Sequence, residues 1–239
     1  MPTDLEQSTE SWSVQPTSMA TTAAPRVSHS QSLLDVLRGR NSLGSNTPPT
    51  QIYFTFTLLD VMRVRSKRNE VELSALVRLD WTDENLAWDP SLYDNVTQKT
   101  VSSSEVWTPD VTPFSLTQPA QTLSPSLVVV SYSGQVTQVN HLRMFVKCDV
   151  RASTTCSVHF GSWTRSEGSM QLHPSPAVVL DNFYAESMYK VVSSSMKKDV
   201  KFYTSSPDPY GRVDVQVTFK AKKGFKNKRG KDGDDDSDD

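Results

Sequence analysis

Residues 70–82 read Glu70-Val-Glu-Leu-Ser-Ala-Leu-Val-Arg-Leu-Asp-Trp-Thr82, with Val71, Leu73, Ala75, Val77 and Leu79 on one face and Glu70, Glu72, Ser74, Arg78 and Asp80 on the other. Alternation sustained over this length marks a strand with one face in a core and one in water. Leu76 alone breaks the polar face. A single exposed leucine is ordinary on any protein surface, and one on a charged face also fits contact with another subunit; both readings stand.

The same period recurs along the chain. Ile52, Phe54, Phe56 and Leu58 alternate with Tyr53, Thr55 and Thr57; Leu142, Met144, Val146 and Cys148 oppose His141, Arg143, Phe145 and Lys147; Val213, Val215, Val217 and Phe219 oppose Arg212, Asp214, Gln216 and Thr218. Turn clusters such as Ser133-Gly134 and Ser205-Ser-Pro-Asp-Pro209 separate these runs, and no internal repeat is visible. Such a chain is all-β, a sandwich or a barrel. One short helix is expected, because Ser32-Leu-Leu-Asp-Val-Leu-Arg38 gathers Leu33, Leu34 and Leu37 behind a serine cap and meets Gly39.

Composition narrows the class further. With 239 residues and 36% apolar side chains, the chain supports one domain, or at most two, with a sizeable core. Mean hydropathy is -0.47, and no apolar run approaches the ~18 residues of a membrane-spanning helix. Two cysteines and four scattered histidines, His29, His141, His159 and His173, form neither a disulfide scaffold nor a spaced metal motif.

The domain proper is expected at residues 31–223. Residues 1–30 are rich in Ser and Thr, poor in apolar side chains and expected to be disordered. They lack the basic and apolar regions of a secretory leader, so a leader is expected to have been removed or the sequence to be incomplete there. Residues 224–239 continue a basic arm, with Lys226, Lys228, Arg229 and Lys231, into an acidic tail of Asp232, Asp234, Asp235, Asp236, Asp238 and Asp239. Without those six carboxylates the balance is 25 basic against 21 acidic residues, or +4. Charge blocks of this kind are usually solvated tails; a nucleic-acid patch is the weaker reading, for want of interleaved aromatics, and clustered carboxylates also attract calcium.

No catalytic pattern fits. The chain has no Gly-x-Ser-x-Gly elbow, no Gly-x-x-x-x-Gly-Lys phosphate loop and no Gly-x-Gly-x-x-Gly. Asp80, Asp83, Glu84 and Asp89 sit among Trp81, Asn85, Trp88 and Pro90, a setting that reads as turn capping. An enzyme is not expected.

Aromatic residues at strand ends and loops carry the functional signal. Trp81, Trp88 and Trp107 are read as core, whereas Tyr203 and Tyr210 flank a segment whose two prolines bar it from a central strand. Two tyrosines at the bases of one loop form a clamp, and aromatic faces attract a cation for roughly 0.5–2 kcal/mol each when desolvated.

A series of motifs then falls in order: Leu86-Ala-Trp88-Asp-Pro90, Val106-Trp-Thr-Pro-Asp110-Val-Thr112, Leu123-Ser-Pro125, Cys148-Asp149 through Cys156, Gly161-Ser-Trp163 and Tyr203-Thr-Ser-Ser-Pro207-Asp-Pro-Tyr210. From about Gln31 to Lys223 this resembles the acetylcholine-binding proteins, soluble relatives of the extracellular domain of Cys-loop receptors. The resemblance implies a ten-stranded immunoglobulin-like β-sandwich with a short N-terminal helix, assembled as a homopentamer, or a decamer of two rings. It places a small cationic ligand between neighbours, against Phe114, Trp163, Tyr203 and Tyr210 on a principal face and Leu76, Val129, Thr137 and Val139 on a complementary face. It also implies a Cys148–Cys156 disulfide around a seven-residue loop, shorter than the family's usual one, and glycosylation at Asn95 in Asn95-Val-Thr97.

Three departures stand out. Ser205-Ser206 replaces the family's usual vicinal cysteines, Phe114 stands where a tyrosine is usual, and Leu76 where an aromatic is. Losing two contacts of ~1 kcal/mol predicts acetylcholine binding weaker by roughly tenfold to a hundredfold. The expected protein is therefore a secreted binding pentamer without a membrane span, a nucleic-acid partner or a required cofactor. The alternatives are a pentamer that has lost its ligand and engages calcium or calcium carbonate through its aspartate tail, and a receptor subunit lacking its channel, against which the basic and acidic ending counts.

Overall fold

A computed structural model describes residues 29–39 and 49–223. The N-terminal extension and the tail carrying Asp232, Asp234, Asp235, Asp236, Asp238 and Asp239 lie outside the described residues. Helix α1 spans His29–Gly39. It begins three residues before Ser32, which is therefore an interior residue and not the cap expected; the end at Gly39 is as read. Leu33 and Leu37, one turn apart, are buried in the core.

Eleven strands follow: β1 (Thr50–Arg65), β2 (Glu70–Thr82), β3 (Gln98–Ser102), β4 (Val111–Phe114), β5 (Leu116–Thr122), β6 (Leu127–Ser131), β7 (Gln135–Asp149), β8 (Thr154–Ser162), β9 (Met170–Pro174), β10 (Tyr189–Lys201) and β11 (Tyr210–Ala221). They form the expected β-sandwich with its N-terminal helix. The count exceeds ten because Ser115, at φ 62°, breaks 111–122 into two strands with different partners, β4 on β8 and β5 on β7.

One sheet runs β9-β1-β2-β7, with β5 and then β6-β3 along the outer side of β7, and the other runs β10-β11-β8-β4. They join where Cys148 of β7 faces Cys156 of β8, which are disulfide-bonded with Cα atoms 4.5 Å apart. Between the sheets, Phe160 of β8 meets Phe54 and Phe56 of β1 at ring-centroid distances of 5.1 and 5.7 Å. Trp81 and Trp88 are buried and Trp107 packs against the core, as read.

One expectation is corrected. Glu70, Glu72 and Ser74 were assigned to a solvated face but are buried. Register sets Glu72 opposite Phe145 and Ser74 opposite Arg143 on β7, and Glu70 at the β1–β2 turn opposite Arg65. Arg65 pairs with Glu70, Arg143 pairs with Glu72, and His141 Nε2 lies 2.8 Å from the Ser74 hydroxyl. Hydrogen bonds from the Thr117 hydroxyl and Arg65 hold the Glu70 carboxyl below the usual carboxylate range. Both guanidiniums also lie over the Phe145 ring, at 5.7 and 5.5 Å, so paired charge covers this half of the sheet.

Candidate ligand-binding site

Two motifs far apart in sequence meet at Asp110. Its Oδ1 accepts a hydrogen bond from the Ser162 hydroxyl at 2.5 Å, and its Oδ2 accepts from the Trp163 and Thr164 N–H groups at 3.1 and 3.0 Å and from the Thr164 hydroxyl at 3.0 Å. The Ser162 hydroxyl oxygen in turn accepts from the Arg165 N–H at 2.8 Å. A single carboxylate thus pins the turn leaving β8 and presents Trp163, whose side chain is left 71% exposed. Burial works to raise the Asp110 carboxyl, but the bonds from Ser162, Thr164 and the Trp163 backbone outweigh it and hold the group below its usual range.

The sign of the linkage follows. A carboxylate depressed in the fold stays ionised while the unfolded chain takes up its proton, so its contribution is present above the unfolded value of ~3.9 and is lost as pH falls through the folded one. Asp110→Asn is expected to lower stability by about 2 kcal/mol at pH 7, with the gap to wild type narrower at pH 3, read from urea denaturation at both pH values.

Phe114 completes the first half of the aromatic set. Pairing of β4 with β8 sets Phe114 opposite His159 and Thr112 opposite Gly161. The Phe114 and Trp163 rings meet edge to face, with centroids 5.0 Å apart and planes at 86°. A Cβ on Gly161 would stand 2.9 Å from Phe114 Cε2, which is a steric reason for glycine ahead of Ser-Trp.

The second half is the β10–β11 hairpin. Lys201 and Tyr210 form its last pair, and Tyr203 and Tyr210 lie 5.8 Å apart at 73°. At the tip, the Ser206 N–H donates to the Tyr203 carbonyl at 3.1 Å and the Ser206 hydroxyl to the Asp208 carbonyl at 3.2 Å. The serines that stand in place of cysteines therefore form a hydrogen-bonded turn. Glu167 links the two halves: its N–H donates to the Pro209 carbonyl at 2.8 Å and its carboxylate pairs with Lys198. A Cβ on Gly211 would lie 2.3 Å from Glu167 Oε2.

Leu76, Val129, Thr137 and Val139 lie on the other sheet. The ladders place Val129 opposite Thr137, Thr137 opposite Asp80, Val139 opposite Arg78 and Leu76 opposite His141, so all four share one face. Arg78 crosses the middle of that face, held to Asp80 by hydrogen bonds of 2.7 and 2.8 Å, and Thr137 donates to the same carboxylate at 2.6 Å. Asp80 is thus a partner for Arg78 and Thr137 and not a turn cap. Asp83 and Asp89 do cap, accepting from the N–H groups of Asn85 and Ser91. Asn95 is exposed, at φ 59° in the turn after Leu92. Among the described residues, no group of three His, Cys, Asp or Glu could hold a metal, and no helix is long and apolar enough to cross a membrane.

Reading the sequence left three parts of this site without a role: Asp110 as the anchor, Arg78 on the complementary face and Glu167 at the hairpin base. Asp110 lies inside Val106-Trp-Thr-Pro-Asp110-Val-Thr112, and its acceptor oxygens were the available signal.

The neurotransmitter-gated ion-channel ligand-binding domain profile matches residues 33–223. The chain belongs to that family, the ligand-binding domains of Cys-loop receptors and their relatives. It is 25% identical over 192 residues to the acetylcholine receptor subunit alpha-type acr-16 of Caenorhabditis elegans, covering 75% of this chain and 38% of that subunit. It is 25% identical over 171 residues to the acetylcholine receptor subunit alpha-1-B of Xenopus laevis, covering 68% and 37%, and 22% identical over 191 residues to the betaine receptor acr-23 of C. elegans, covering 73% and 35%. The chain thus spans less than two-fifths of the length of these relatives.

Proposed function

We propose that this chain is a secreted pentameric binding protein that captures a small cationic ligand between neighbouring subunits. Phe114, Trp163, Tyr203 and Tyr210 of one subunit form the box, and Leu76, Val129, Thr137 and Val139 of the next form its far wall. The observation that carries this reading is Trp163, an indole left exposed while its backbone is anchored by the Asp110 carboxylate. Exposing a tryptophan costs favourable burial, and a fixed ring with a free face suits a cation, through its quadrupole. Both tyrosines sit on a loop tied to the same turn by Glu167. Arg78 does not oppose an amine at full charge, because Asp80 neutralises it.

The two ring sets and the far wall lie on different sheets of one chain, which is why a complete box takes two subunits. The relatives named for acetylcholine and betaine support a quaternary ammonium or amine as the class of ligand. Sedimentation is expected to give five times the 26.7 kDa chain mass. Calorimetric titration with nicotine is expected to saturate, and Tyr203→Ala to weaken it about tenfold through loss of one cation–π contact and the edge-to-face pair. Absence of heat at millimolar nicotine would overturn the reading and leave the calcium-engaging pentamer in its place.

A further inference from the structure

Glu167 carries a charge that the aromatic box does not use. It lies in a turn fixed from both sides: the Ser169 and Met170 N–H groups donate to the Ser166 carbonyl at 2.9 Å, and the Thr50 N–H of β1 donates to the Ser169 carbonyl at 3.0 Å. The turn is therefore tied to the sandwich, as is the Trp163 turn that Asp110 pins just before it. The hairpin opposite is built differently. Its tip closes on itself through the bonds of Ser206 to Tyr203 and Asp208, and the β10–β11 ladder ends at Lys201 and Tyr210. Glu167 meets this hairpin at three points. Its N–H donates to the Pro209 carbonyl, one carboxylate oxygen pairs with Lys198 on β10, and the other lies against the backbone of Gly211 on β11.

That second oxygen, Oε2, is buried and accepts no hydrogen bond among the described residues. An acceptor stripped of water and given no donor costs free energy. The seated carboxylate is thus favoured by the Lys198 pair and opposed by desolvation of Oε2, so release hydrates one oxygen as it frees the other. A contact balanced in this way opens readily. The room for it comes from glycine: a Cβ on Gly211 would lie 2.3 Å from Oε2 and 3.5 Å from Cδ of Glu167, whereas Leu172 Cγ would be 4.0 Å away. What crowds the space over Gly211 is the carboxylate itself. Tyr210 of the box is the preceding residue, so a cation held against its ring brings positive charge toward Oε2 and favours the seated position.

We infer that Glu167 is a positioning residue for the clamp: its carboxylate, seated between Lys198 and Gly211, holds the Tyr203–Tyr210 hairpin against the Trp163 turn and slows the departure of a cation from beneath it. The effect on the cation rests on the amine-capture reading; the hold on the hairpin does not.

Two measurements on the full chain test these parts separately. Without ligand, chymotrypsin cleavage after Phe202 and Tyr203, both exposed on the loop and read by mass, reports how often the hairpin opens. Glu167→Gln keeps the shape and removes the charge, and is expected to speed cleavage about fivefold, as is Lys198→Met. Gly211→Ala keeps the charge but its Cβ displaces the carboxylate, so it should match them. With nicotine, stopped-flow fluorescence of the same variants is expected to show dissociation faster by about fivefold and association within about twofold of wild type, a split that a general loss of fold would not produce. Cleavage unchanged in both Glu167→Gln and Gly211→Ala overturns the inference. Faster cleavage with an unchanged dissociation rate overturns its ligand half. A wild type that does not bind nicotine overturns the amine-capture reading and the effect on residence with it, while faster cleavage in the variants still supports the held hairpin.

Discussion

If the chain binds nicotine as proposed, Trp163→Ala is expected to lower the affinity about a hundredfold and to shift the melting temperature by no more than about 2 °C. The indole is the largest cation platform in the proposed box, and cation–π attraction with the contact area of the ring accounts for a loss of roughly 2–3 kcal/mol. The fold is spared because the side chain is mostly in solvent, where truncation removes little burial. The Asp110 bonds to residue 163 use its backbone N–H, so the turn survives the change. Trp163→Phe, which keeps a smaller quadrupole, should fall between alanine and wild type. Calorimetry on the three proteins at one salt concentration reads the series directly. Equal affinity in all three would show that the ligand does not contact this ring.

Phe160→Ala is expected to destabilise the domain by about 3–5 kcal/mol and to lower its melting temperature by about 10 °C, read by scanning calorimetry. Phe160 is fully buried and is the ring through which β8 contacts β1 across the sandwich, against both Phe54 and Phe56. Removing it leaves a void that two rings on the opposite sheet cannot close without moving their strand. The damage reaches the site, because Gly161, Ser162 and Trp163 follow directly and Pro113 pairs opposite. Phe160→Leu retains most of the volume and should cost about 1–2 kcal/mol. Phe202→Ala is the matched control: that ring is 78% exposed at the start of the clamp loop, and its loss should stay within about 0.5 kcal/mol. A melting temperature for Phe160→Ala within 2 °C of wild type would show that the two sheets are not held together through this contact.

The sandwich was legible because its signal is local. Strand alternation is set by the geometry of neighbouring residues, and Ile52, Phe54, Phe56 and Leu58, like Val213, Val215, Val217 and Phe219, are buried as their spacing requires. The buried tryptophans, the capping roles of Asp83 and Asp89 and the end of the helix at Gly39 were local in the same sense. So was the oddity of Leu76, a break in period readable from five residues either side.

The remainder depended on register between distant segments. Polarity alone assigns Glu70, Glu72 and Ser74 to water; they are buried because β7 delivers Arg143 and His141 beside them, 71 and 67 residues along the chain, and Thr117 joins Glu70 from 47 residues away. Asp110 anchors Trp163 across 53 residues, and no feature of either motif read alone states that bond. Amino-acid order by itself determined which faces are apolar and hence that the chain forms a sandwich. Which charges are satisfied and which ring is held in solvent were decided only when strands from remote positions set their register, because partner identity is a property of the pairing and not of the strand.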